Sequence, residues 1–369
     1  LSTILAGKSV GFGLGASPEA FAMSAGTTPR DLELQLQVFA ALMTDPGYRS
    51  EGVEQFRKGI DNFFETLTST PGRALSAVQG AELSDDDPRF SLPSKEAYYA
   101  LDFDKLKAVI GDRLARGAIE IAIVGDFDED AAIAAVASTF GALTEREDTF
   151  RRREEARLRS FTDDRSLRRI EHDGEADQAL LRLIWPSTDD SDYEEVVRLQ
   201  MLGRVLRLEL TDRIREELGQ AYSPSAGVRT SRVYTDYGTI TINVSLEDTQ
   251  IDAARAAIDE LLSDLAADGI TQDLIERARK PLLERHENTL KGLGGYTSLA
   301  ARAQTHPELI DRFFVYPDLL SAVSVEDLKD AAQQYLKPDE AVTFLVVPSE
   351  KAKAKAEDAD KTQSETAAE

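Results

Sequence analysis

Residues 47–125 of this chain recur at 269–347 with a constant offset of 222, and no other feature limits its architecture as much. Gly47, Glu54, Arg57 and Lys58 return as Gly269, Glu276, Arg279 and Lys280 (269 − 47 and 280 − 58 both give 222). Further on, Leu106 and Lys107 return as Leu328 and Lys329, and the apolar run IEIAIV from Ile119 returns in place as AVTFLV from Ala341. A register kept without a gap over that length makes the chain two copies of one structural unit. Self-similarity of this kind fixes the architecture before any local assignment.

The second copy has further material upstream, from about Leu167, whose first-copy counterpart would stand at about −55 (167 − 222). The sequence starts at Leu1 and not at Met. The expectation is a first unit without its entering strand and helix, roughly 5 and 11 residues plus connections, in a fragment of a longer polypeptide.

With 369 residues and 42% hydrophobic content, the chain is long enough for two domains with cores of their own. No apolar run reaches the roughly 18 residues that span a bilayer, and IEIAIVG has the length and β-branching of a buried strand. A net charge of −24 opposes phosphate backbones, which call for a cationic surface, so nucleic acid is not an expected partner. The arginines between Arg151 and Arg169 are interrupted by acidic residues and read as a solvated hinge. The absence of cysteine excludes disulfides, thiol nucleophiles and thiolate metal sites.

Along the chain, residues 9–25 alternate small and apolar positions and read as strands. A helix follows, with Thr28 and Pro29 at its start. A second helix begins near Ser50 with an equivalent near Thr271, a third runs from Asp104 to Arg116, and the Ile119–Val124 run reads as the strand that closes the unit. The second copy adds a strand at Ala179–Trp185, a helix from Tyr193 to about Leu218, and strands near Tyr222–Arg229 and Tyr237–Leu246. Strands followed by helices and then one strand predict an α+β fold: two tandem homologous units, each a mostly antiparallel sheet with helices packed on one face. The expected division is a first unit at 1–150, a linker at 151–166, a second unit at 167–348, and a charged, alanine-rich tail at 349–369 that reads as disordered.

Chemistry is sparse. His172, His286 and His306 are the only histidines, and none has a second at helical spacing, so neither HExxH nor HxxEH is present. His172 reads as part of a turn, His286 as a polar helix face and His306 as a helix end. No GxSxG elbow supports a serine triad. The glycines Gly11, Gly13 and Gly15 run into Ala16, Ser17 and Pro18, unlike a dinucleotide or P-loop fingerprint, and suggest close packing on a strand. LKGLGGY, from Leu290 to Tyr296, reads as a break between helices. The segment with most to offer is LRLELTDRIREELGQAYSPSAG, Leu206–Gly227, which sets Arg213, Arg215 and Tyr222 around a helix end closed by Gly219. An arginine fork and a tyrosine hydroxyl can polarise a carbonyl or hold a peptide, whereas helix arginines are commonly solvated and tyrosines commonly pack.

Four stretches, TTPRDLELQLQVFAALMTDPGYR, ARGAIEIAIVGDFDEDAAIAAVASTFGAL, HDGEADQALLRLIWP and IREELGQAYSPSAG, together with the repeat, resemble the pitrilysin/insulinase family of zinc metallopeptidases, the inverzincins, in their C-terminal half. The resemblance spans about residues 20–348. It implies a whole protein of four homologous α+β units joined as two halves around a substrate chamber, of which this chain supplies the third unit, truncated, and the fourth. In such enzymes the zinc ligands, HxxEH and a distal Glu, lie in the other half; zinc is therefore expected there and not in this chain. The C-terminal half is thought to contribute an Arg and a Tyr that bind substrate and stabilise the transition state. The matching positions are Arg213, six residues before Gly219, and Tyr222; in some members Tyr follows the Gly directly, whereas here Gln220 and Ala221 intervene. The expected partners are an HxxEH-bearing half and a peptide substrate, in a bacterial periplasm or cell envelope. Two other readings stay open: a non-catalytic structural or recognition subunit, and an acidic α+β binding protein related by fold alone.

Overall fold

The computed structural model describes residues 5–219 and 224–366, with side chains in the last helix up to residue 358. The first copy contributes strands β1 (Gly13–Ala16) and β2 (Phe21–Ser24) and helices α1 (Leu32–Thr44), α2 (Ser50–Glu65), α3 (Pro71–Leu83), α4 (Lys95–Tyr99), α5 (Phe103–Arg116) and α6 (Glu129–Thr139). Next come β3 (Arg168–His172), β4 (Gln178–Ser187), α7 (Tyr193–Leu218), β5 (Ser225–Thr230) and β6 (Gly238–Glu247). The chain closes with α8 (Ile251–Ala266), α9 (Gln272–Thr289), α10 (Leu293–Ala300), α11 (Glu308–Ala322), α12 (Val325–Tyr335), β7 (Val342–Pro348) and α13 (Glu350–Thr366). The repeat holds at the level of elements: α2 and α9, α3 and α10, and α5 and α12 each begin 222 residues apart (272 − 50, 293 − 71, 325 − 103).

Five strands of the second copy form one mixed sheet in the order β3-β7-β4-β6-β5, in which β3 and β7 are parallel and every other pair antiparallel. β4 lies at its centre, and its run LLRLIW is continuously apolar but for Arg182 because both sheet faces are covered. On one face, Trp185, Leu183, Ile240, Ile242 and Val244 pack with α7, α8 and α12. On the other, Ala74, Leu75 and Leu83 of α3 pack on Leu180, Ile184, Val342, Phe344 and Val346. Arg182 crosses that second layer to Gln79 and Asn243.

Two compact units interleave along the chain and do not follow the boundaries at 150 and 167. One consists of Leu1–Gly59, Glu96–Arg153 and Asn288–Asp311; the other of Ile60–Lys95, Glu154–Glu287 and Arg312–Glu369. The segment bearing α3 therefore belongs with the second copy's sheet, and the segment bearing α10 with the first copy's helices. An apolar sheet needs cover on both faces, and sequence order says nothing about which copy supplies it.

Three further expectations change. The Ile119–Val124 run belongs to no strand; its second-copy equivalent, β7, pairs with β3 and β4. The 151–166 stretch is exposed over 151–156 and anchored beyond: the guanidinium of Arg159 lies 3.7 Å from the ring centroid of Phe90 and 4.2 Å from that of Tyr237, and Thr162 is buried with its N–H donated to Leu83 O. Such ring faces attract a cation. Residues 350–366, expected to be disordered, form α13. They lack large side chains, but alanine, lysine and glutamate are strong helix formers, and the Ser349 hydroxyl caps the helix by accepting the Ala352 N–H at 3.2 Å.

Candidate functional site

Helix α7 begins at Asp192, whose carboxylate accepts the Glu195 N–H at 3.1 Å. Leu202, Val205, Leu206, Leu210 and Ile214, at helical spacing, are fully buried against the sheet. Gly203 lets the helix approach β5 closely, since a Cβ there would stand 2.9 Å from Val228 Cγ2. The helix ends at Gly219, whose φ of +88° an L side chain adopts only under strain. These features hold the C-terminal turn of α7, with Arg213 and Arg215, against a rigid layer.

The two arginines flank the buried Ile214 and meet different surroundings. Arg213 Nη2 is 2.5 Å from Asp264 Oδ2 and its Nη1 is 3.1 Å from Glu260 Oε2, both on α8. The hydrogen bond to Asp264 is the main cause that raises its pKa above the ordinary arginine value. Arg215 is exposed and has no side-chain partner among the described residues; its carbonyl accepts the Gly219 N–H at 3.1 Å. Tyr222 falls in 220–223, outside the described residues. Of the two expected site residues, Arg213 is engaged in an interhelical ion pair, and among the described residues the cation without a side-chain partner at this helix end is Arg215. What separates them lies some 50 residues downstream, in the acidic face of α8. One turn back, burial and then the nearby Asp212 push the Glu209 carboxyl above the usual range.

The histidines are occupied by local structure. His172 is fully buried; its Nε2–H donates to Gln178 O at 2.7 Å and its Nδ1 accepts the Gly174 N–H at 3.1 Å, so the ring ties together the turn between β3 and β4. His286 lies with its ring centroid 4.2 Å from that of Phe313. His306 sits between Glu308, 3.0 Å from Nδ1, and Arg302, 2.6 Å from Nε2. Among the described residues no group of three or more His, Asp or Glu gathers to hold a metal.

The glycine pattern near the start resolves into a hairpin. β1 and β2 pair antiparallel, and the Gln35 side chain exchanges hydrogen bonds with the backbone of Gly11, at 2.8 and 2.9 Å. A Cβ at Gly13 would stand 3.2 Å from Ser24 Oγ, but one at Gly15 would meet nothing within 4 Å, so close packing explains only part of the alternation. LKGLGGY is a helix break: α9 ends at Thr289, and a Cβ at Gly295 would collide with Thr289 O at 1.9 Å. A cavity of about 340 Å³ at one end of the large sheet is lined by Ser187, Asp236, Tyr335 and Glu340 among others, without a nucleophile and base in contact. No helix among the described residues is long and apolar enough to cross a membrane.

Residues 100–282 match the family described as the peptidase M16 inactive domain. No curated protein matches in sequence. The fold is that of a peptidase M16 inactive domain from Pseudomonas fluorescens, with 19% identity, a TM-score of 0.71, and coverage of 92% of this chain and 81% of that one. The periplasmic protease PqqL from Escherichia coli superposes with a TM-score of 0.73 at 16% identity over 92% of this chain. The chain spans 37% of the length of that protein. The first half of PqqL, as a separate structure, superposes with a TM-score of 0.63 at 16% identity, covering 95% of this chain and 77% of that one. Both the whole protease and its first half therefore present this fold, and the fold alone does not tell one half from another.

Proposed function

We propose that this chain, whose residues 100–282 match the family described as the peptidase M16 inactive domain, is the zinc-free half of a metalloendopeptidase. It forms one wall of a peptide-binding chamber and acts with a half that carries HxxEH. The reading is supported most directly by the end of α7, where Arg215 is exposed, with no side-chain partner among the described residues, four residues before Gly219, and the chain then runs into the segment that contains Tyr222. A fixed guanidinium and a phenol hydroxyl are suited to holding a peptide carbonyl and the oxyanion it becomes. Zinc belongs to the other half, and a bacterial periplasm or cell envelope is the proposed location.

Within this reading, Tyr222 is one half of the Arg/Tyr pair. Arg213, the other position drawn from the family resemblance, already has two carboxylate partners, and Arg215 is the better placed donor. Mixing the chain with the HxxEH half should give zinc-dependent cleavage of a fluorogenic peptide. Tyr222→Phe and Arg215→Ala should reduce kcat/KM about 10²-fold or more, as loss of a transition-state donor does. Full activity in both variants would remove the pair from the mechanism.

A second reading, a structural or recognition subunit, is favoured by the engagement of Arg213 with α8. It predicts binding of the partner half with no change in its turnover, so the same mixing experiment separates the two.

A further inference from the structure

The large sheet changes character across the face that α3 covers. Over β3, β7 and β4 that face is apolar and α3 packs on it. Over β6 and β5 it is polar. Ile240, Ile242 and Val244 of β6 point into the opposite layer, so by alternation Thr241, Asn243 and Ser245 point to this one. β5 brings Ser225 opposite Asn243 and Arg229 opposite Thr239, on the same side. Arg229 and Ser245 are exposed.

Arg182 stands at the border between the two halves, in register with Phe344 of β7 on one side and Asn243 of β6 on the other. Its Nε–H donates to Asn243 Oδ1 at 2.9 Å and its Nη1 donates to Gln79 Oε1. Both acceptors are neutral amides. A guanidinium has more N–H donors than these two bonds use, and Nη2 has no partner among the described residues. Nor does any carboxylate among them pair with it; burial alone lowers its pKa below the ordinary arginine value. A charge taken out of water without a counter-charge is unfavourable. Further along the same face, the Arg229 side chain has neither a hydrogen bond nor an ion pair among the described residues. Two cations thus share a face whose intervening positions are Ser, Thr, Asn and Gly, in a chain of net charge −24.

We propose that this half-face, centred on Arg182 with Arg229 along it, is a subsite for an acidic side chain, aspartate or glutamate, of a bound polypeptide. It deepens the peptide-binding role proposed above and rests on that reading for the polypeptide nature of the ligand. A carboxylate supplies the missing counter-charge and an acceptor for Nη2, and its plane matches that of a guanidinium. Arg182 lies in the middle of β4, and the polar face continues along β6 in both directions. A polypeptide therefore has room on either side of the captured residue, which favours a side chain over a chain end. A nucleic-acid backbone is not the occupant, because two cations on so acidic a chain do not neutralise it.

The test is fluorescence anisotropy on the whole chain with no partner half present. The probe is a Thr/Ala peptide, acetylated and amidated at its ends, that carries a neutral dye and one central Glu. It should bind about tenfold or more tighter than its Gln counterpart, as a charge-assisted hydrogen bond does against a neutral one. Net repulsion by the acidic chain acts the other way, so such a preference has a local origin. Arg182→Gln should bring the two peptides within about twofold of each other, and Arg182→Lys should keep part of the difference. Arg229→Gln, at an exposed side chain, should narrow the preference by about twofold or more, and it keeps the test decisive if Arg182→Gln does not fold. Equal affinity for the Glu and Gln peptides, or no binding of either, overturns the proposal. If zinc-dependent cleavage is nonetheless seen with the HxxEH half, the chamber reading stands without this subsite. A Gln peptide with a free C-terminal carboxylate that binds as tightly as the Glu peptide overturns it in favour of capture of a chain end.

Discussion

Arg213 and Arg215 stand two residues apart on α7 and face opposite tasks. The first is three-quarters covered, at 22% exposure, and bridges Glu260 and Asp264, which are 63% and 48% exposed. Such partly solvated pairs contribute modestly, so Arg213→Ala should cost about 0.5–1 kcal/mol in urea unfolding. Arg215→Ala removes no side-chain partner among the described residues and should stay within about 0.5 kcal/mol of the parent chain. The reverse order, with Arg215→Ala the more destabilising, would contradict the assignment of the two side chains. His172 is fully buried and bonded to two backbone partners. His172→Ala removes two part-buried hydrogen bonds to backbone and should cost about 1–3 kcal/mol. The turn around His172 was legible from EHDG, but its burial was not, because β7, which pairs with its strand, comes from distant sequence. In the same way nothing near Arg213 in the sequence distinguishes it from Arg215; the acidic residues that do so belong to α8.

The elements with local punctuation were readable in advance, and those that depend on distant partners were not. α7 carries a carboxylate cap at Asp192 and a positive-φ glycine at Gly219, and its bounds follow from those two signals. The 118–124 run has the composition of a strand, yet a strand exists only through its neighbours. The same dependence governs the pairing of α5 with the segment that follows α6. There Arg113 holds Glu147 through two hydrogen bonds, at 2.9 and 3.0 Å. The Arg113 hydrogen bond is the main reason the Glu147 carboxyl titrates at about 2 and not near 4.5, with Arg151 adding to the effect. A carboxylate whose pKa falls on folding stabilises the protein above its unfolded value and loses that contribution as pH drops toward the folded one. Unfolding of the first unit should therefore become easier between about pH 4.5 and about 2. Glu147→Gln should flatten the urea midpoint over that window and leave the pH dependence of the second unit unchanged. An equal acid response in the variant would assign the effect to other carboxylates.

At the scale of the molecule, the two compact units exchange chain segments. The region 60–95, with α3, belongs to the unit that contains the large sheet, and 288–311, with α10, belongs to the other. The repeat revealed two units, but not the exchange, since helix α3 carries no mark of whose sheet it covers. One consequence separates this arrangement from two domains in series. A protease site inserted after Arg153 produces fragments 1–153 and 154–369, and each compact unit then contains residues from both. The nicked protein should elute from gel filtration as one species in native buffer and separate only in denaturant. The contact that resists separation in the sheet-bearing unit is α3, whose Leu75 is fully buried against Phe344 and its neighbours. Leu75→Ala removes buried apolar volume at a cost of about 2–5 kcal/mol. In the nicked protein it should therefore lower the urea concentration at which the fragments part. Val109→Ala, at a side chain 75% exposed, should not. Spontaneous separation of the parent fragments without denaturant would mean that α3 does not cover that sheet.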